Sequence, residues 1–139
     1  MALSDEMSSF SLDAVADARV NHGTVLDNSP ESVRFVEAIL EKLHKAQPQG
    51  FFQRAMKKAP SPAALDKLAK MYGGYIGEII RKEKGGEWEY DEQTAPGYRL
   101  LSLKTPAARI FPPLRVHRRL TVGSEENVWH YFQALVAQK

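Results

Sequence analysis

The chain has 139 residues, of which 43% are hydrophobic, 9% aromatic and 26% charged, with a formal net charge of +2 and no cysteine. That length suits one hydrophobic core, the composition fits a folded soluble protein rather than a disordered one, and so small a charge argues neither for nucleic acid nor for an anionic membrane. Disulfides are excluded and any metal would need His, Asp or Glu ligands; no apolar run or signal-like start is visible, so the cytoplasm is the expected compartment.

Residues 1–28 read as an acidic amino-terminal arm, partly flexible. Its first eight residues are expected to be loose, with a short helix around Asp13 to Arg19. A single α+β domain is then expected over 29–139. It opens on a helix capped by Ser29, with Pro30 at the first helical position. Val33, Val36, Ile39, Leu40 and Leu43 follow at helical spacing, and Pro48 and Gly50 end the run by Gln47. Phe51, Phe52, Ala55 and Met56 suggest a further short helix.

A second capped start stands at Ser61-Pro62. Leu65, Leu68, Ala69, Tyr72, Ile76, Ile79 and Ile80 then continue one face for more than four turns. Arg81, Lys82 and Lys84 favour the carboxyl end of this helix, and Gly85-Gly86 stops it. Glycine inside a helix costs about 1 kcal/mol relative to alanine. Gly73 and Gly77, four apart, therefore predict a bare face against which another backbone packs closely.

After Gly86 the period changes to two. Glu87-Trp88-Glu89-Tyr90-Asp91 predicts a strand with Trp88 and Tyr90 on one face. A turn at Thr94-Ala95-Pro96-Gly97 leads to a second strand over Tyr98 to Lys104, and Ala107 to Phe111 suggests a third. Pro112-Pro113 reads as an extended break, after which Leu114 to Thr121 is either a fourth strand or a short helix. Ser124 is the expected cap of a final helix carrying Val128, Trp129, Phe132, Leu135 and Val136. Helices, then a small mainly antiparallel sheet of three or four strands, then a carboxyl-terminal helix define an α+β class.

No catalytic constellation stands out. Glu78, set in an apolar helical run, is the most interesting polar residue; it calls for an arginine or hydrogen-bond donors, with Arg99, Arg109 and Arg115 as candidates. A solvent-facing carboxylate and a catalytic acid or base are the other readings. The four histidines show no metal spacing, phosphate-binding glycine loops are absent, and no cofactor is expected.

Charge alternates along the chain: eight acids and two bases over residues 1–41, ten bases and three acids over 42–84, four acids and no base over 85–98, six bases and no acid over 99–120. Arg115, His117, Arg118 and Arg119 form a basic cluster that suits an acidic protein surface better than nucleic acid. Self-association could join the acidic and basic regions.

Gly74, Tyr75, Gly77 and Glu78, followed by Gly86 and Trp88, give a glycine-tyrosine-x-glycine-glutamate helix leading into a glycine-x-tryptophan strand. Together with Phe111-Pro112-Pro113 and Arg115-Val116, this resembles a family of small uncharacterised bacterial domains over residues 60–139. Close packing is expected at Gly73, Gly74, Tyr75, Gly77, Gly86 and Trp88; the resemblance carries over no catalytic residue and implies an immunity or adaptor role beside secreted toxins. The expected function is thus a protein-interaction domain whose partner is a toxin or secreted effector, or a second copy of itself. The alternative is a small enzyme or ligand-binding protein using Glu78 and an arginine, which requires Glu78 to line a solvent-connected pocket.

Overall fold

The computed structural model describes residues 2–47 and 60–137. The short helix suggested for Phe51 to Met56 lies outside the described residues. The α+β class is present: helices α1 (Leu3–His22), α2 (Val33–Ala46) and α3 (Pro62–Lys84) precede strands β1 (Glu87–Asp91), β2 (Leu100–Lys104) and β3 (Arg109–Ile110). Helices α4 (Pro112–Thr121) and α5 (Val128–Ala137) complete the order. The sheet is antiparallel in the order β1-β2-β3, with Trp88 opposite Leu103 and Leu103 opposite Ile110.

The expected helix starts form for the expected reasons. Ser29 accepts the amide of Ser32, and Ser61 accepts that of Ala64, with proline opening both segments. The first segment makes one 3-10 turn over Pro30–Ser32 before α2 begins. Gly85 ends α3, and Gly86 at φ +138° turns the chain into β1. A side chain at Gly86 would also stand 2.8 Å from the carbonyl oxygen of Lys104, so this corner admits only glycine.

Three expectations are corrected. The helix expected around Asp13 to Arg19 is a 20-residue helix starting at Leu3. Its buried stripe is Met7, Ser11, Ala14 and Ala18, while Leu12 and Val20 are exposed. Pro112-Pro113 is not an extended break: both prolines occupy the first turn of α4, where their missing N–H groups cost nothing. Leu114 to Thr121 is therefore helix, and the sheet has three strands. Ser124 opens a 3-10 turn, whereas the amino end of α5 is capped by Asn127, whose Oδ1 accepts the His130 amide at 2.9 Å.

Helix α3 is the centre of the molecule, touching α1, α4 and α5. Its glycines divide the work. A methyl at Gly73 would meet the backbone of Pro113, 2.6 Å from its nitrogen. A methyl at Gly77 would enter the six-membered ring of Trp88, with Pro112 Cγ at 3.4 Å. Gly74 lies on a different face, where the Met7 carbonyl of α1 comes within 3.3 Å of the same construction. One helical turn thus touches α4, β1 and α1 through positions with no side chain. Tyr75, fully buried, accepts the Asn28 amide at 2.8 Å and shares a 2.6 Å hydrogen bond with Ser32. Tyr72 donates to Asp17 of α1. Burial and the Asp17 carboxylate push the Tyr72 phenol far above its ordinary range, so it stays a donor.

Candidate functional site

Glu78 follows directly on the glycine that receives Trp88. Its Oε2 accepts the Trp88 indole N–H at 3.1 Å and the Arg81 Nε–H at 2.7 Å. The partner arginine is therefore Arg81, one turn along the same helix; Arg99, Arg109 and Arg115 bond elsewhere. The hydrogen bond to Glu78, helped by its charge, raises Arg81 above the ordinary guanidinium value. The carboxylate is 12% exposed and the guanidinium 40%. This pair is not sealed. It lines an open cleft of about 570 Å³ between the first turns of α1 and the start of β1, with Ser4, Asp5, Ser8 and Glu87 on its walls.

The basic cluster expected at 115–119 is divided by the helix that carries it. Arg119 faces inward and is fully buried, so it belongs to no surface patch. Its Nε and Nη2 donate to Glu37 at 2.9–3.2 Å, and Nη2 lies 3.1 Å from Glu41. Glu37 also accepts the Val128 amide at 3.0 Å, tying α2, α4 and the start of α5 together. The paired carboxylates, through the Glu37 hydrogen bond first, hold Arg119 above its ordinary value against the opposing effect of burial.

His117 faces a different space. It lines a cleft of about 330 Å³ with Ala69, Leu100, Leu101, Pro113 and Leu114 as its apolar wall. Tyr90 and Arg99 stand at the same opening, the guanidinium 3.8 Å from the ring centroid. Tyr98 beside them is 70% exposed. Trp88 and Tyr90 share a strand face as expected, but only Trp88 is buried.

Arg109, Arg115 and Arg118 meet in a third cleft, against Tyr131. Arg109 Nη1 donates to the Ser102 hydroxyl at 2.8 Å, and its Nη2 lies 3.1 Å from Glu89. Arg115 donates to Glu126 and lies over the Tyr131 ring. Sequence reasoning missed this convergence, and Tyr131 with it. The i, i+3 spacing of Arg115 and Arg118 was the available signal, once the segment is taken as helix.

Among the described residues, no group of three His, Cys, Asp or Glu side chains is placed to hold a metal ion. No described helix is long and apolar enough to cross a membrane. Compared with known proteins, the chain matches no family model, no curated protein and no solved structure.

Proposed function

We propose that this chain is a binding protein for a small, positively charged ligand held in the Glu78–Arg81 cleft. One observation carries the reading: the helix-borne ion pair opens onto solvent-connected space instead of being closed in the core. Asp5, Glu78 and Glu87 outnumber Arg81 there, which favours an ammonium or amidinium group, and the hydroxyls of Ser4 and Ser8 add neutral hydrogen-bonding capacity. Two donors fix Glu78 as an acceptor, an arrangement that suits recognition better than proton transfer. Trp88 is a built-in reporter, since its indole N–H bonds the same carboxylate. In a Trp129→Phe background, spermidine or arginine should change its fluorescence saturably. Glu78→Gln, which keeps an acceptor for the indole, should weaken that response about tenfold through loss of a charged contact. No response to any amine-bearing probe, or equal affinity in the variant, would end this reading.

A second reading, an interaction domain for another protein such as a toxin or effector, is favoured by the cleft at Tyr90 and Arg99. Tyrosine and arginine beside a desolvated apolar wall are typical anchors of protein interfaces. The resemblance of residues 60–139 to immunity-type domains points the same way. An acidic partner loop would suit Arg99 and His117. Affinity purification from the native host should recover one partner that is lost with Arg99→Glu; a monomer with an unchanged protein profile in both forms would count against it.

A further inference from the structure

We propose that the cleft bounded by β3, the first turns of α4 and Tyr131 of α5 is an oxyanion site that takes a phosphate group. Its volume is about 240 Å³, and Arg109, Arg115 and Arg118 all line it. The three guanidinium groups come from two elements, and those of Arg109 and Arg115 are held by hydrogen bonds. Arg109 is fixed by Ser102 and Glu89. Arg115 is fixed by Glu126 and by the Tyr131 ring, whose centroid is 4.5 Å from its central carbon. Arg118 is 55% exposed, with Glu126 at 3.9 Å as its ion-pair contact.

Charge and geometry both select the ligand. Arg115 and Arg118 share one carboxylate, Glu126, so one positive charge remains over on the α4 side, whereas Arg109 is offset by Glu89 and by the nearby Asp91. Each guanidinium has five N–H donors, and these contacts use only part of them. A carboxylate is satisfied by one bidentate arginine, whereas a phosphate group offers three acceptor oxygens and up to two negative charges to converging donors. Phe111, Leu114 and Arg115 bring the amino end of α4 to the cleft, but Pro112 and Pro113 have no N–H to offer there, so the donors to an anion are the arginine side chains. Burial pushes the Tyr131 phenol up to about 12 despite the pull of Arg115, so its O–H is retained near neutrality. This cleft shares no lining residue with the Glu78 site and stands or falls separately.

The test is a titration of the ¹⁵N-labelled full chain at constant ionic strength, following arginine Nε–H and backbone amide signals. The probes are inorganic phosphate, O-phosphoserine and a nucleoside monophosphate, with chloride as the reference anion. Saturable shifts should concentrate at Arg109, Arg115, Arg118 and the first turn of α4. Arg118→Gln, at an exposed position, should leave the melting temperature unchanged and weaken phosphate about tenfold or more, the loss of one charged hydrogen bond. Lys82→Gln, also exposed, should change nothing. Equal affinity for all three probes identifies the phosphate group itself as the ligand; tighter binding of one ester adds contacts from its organic part. Equal shifts with chloride, shifts spread over every basic residue, or undiminished binding by Arg118→Gln overturn the proposal.

Discussion

Replacing Arg119 with methionine should destabilise the fold by about 3–5 kcal/mol, the range for removing one partner of a buried ion pair. The side chain is fully buried, and three of its contacts are to Glu37. Its loss leaves the Glu37 carboxylate, 14% exposed, without a counter-charge. Glu41 is 37% exposed and can turn to water, so Glu37 carries most of the penalty. The double variant Arg119→Met with Glu37→Gln should therefore recover part of the loss, because glutamine still accepts the Val128 amide and leaves no charge behind. Urea unfolding of the wild type, the single and the double variant measures all three. A single-variant loss below about 1 kcal/mol, the scale of an exposed pair, would show that this network contributes little.

Gly73→Ala should destabilise by about 2 kcal/mol even though alanine is the better helix former by about 1 kcal/mol. The added methyl meets backbone atoms of Pro112 and Pro113, which cannot rotate away, so α4 itself must shift. Gly74→Ala is the internal control. Its methyl would meet the Met7 methyl at 3.2 Å, the Met7 carbonyl oxygen at 3.3 Å and Phe10 Cβ at 3.4 Å, contacts that a shift of α1 by a few tenths of an ångström relieves. The gain in helix propensity then offsets the crowding, leaving stability within about 1 kcal/mol of wild type. Thermal melts of both variants separate close backbone packing from propensity. Equal effects at the two positions would contradict the assignment of Gly73 to the α4 contact.

Much of the fold was legible wherever local chemistry and burial agree. Ser61-Pro62, the long apolar face of α3 and the Gly85-Gly86 stop all speak for the same helix, and the alternation around Trp88 marks the first strand. Helix α1 was obscure because its buried stripe is, beyond Met7, alanine and serine, while Leu12 and Val20 point to water. Hydrophobic periodicity has little to detect there; the stripe acquires meaning only beside Gly74. Pro112-Pro113 was ambiguous in kind, since the same missing amides that stop a strand are harmless in the first helical turn.

The candidate sites were less legible than the fold. Glu78 stands out in the sequence as an oddity, but the arginines of the sheet segment are the expected partners, whereas the real one stands three residues ahead on the same helix. The run at 115–119 looks like one basic patch in sequence. Neighbours on a helix point about 100° apart, so Arg118 and Arg119 serve opposite environments. Nothing local to residues 109, 118 and 131 reveals that they share a cleft; only the packing of α4 and α5 against the sheet creates it.

The turn of α3 that carries Gly73, Gly74 and Gly77 also has a temporal implication for the nascent chain. Its contacts join residue 7 to residue 74, and residue 73 to residue 113. A ribosome delivers α1 first, yet the surface that covers its alanine-serine side emerges roughly fifty residues later. So weakly apolar a helix has little to hold it before then, and docking must await the long-range closure. Slowing translation once α3 has cleared the exit tunnel should therefore let α1 and α3 pair while the basic helix α4 is still inside it.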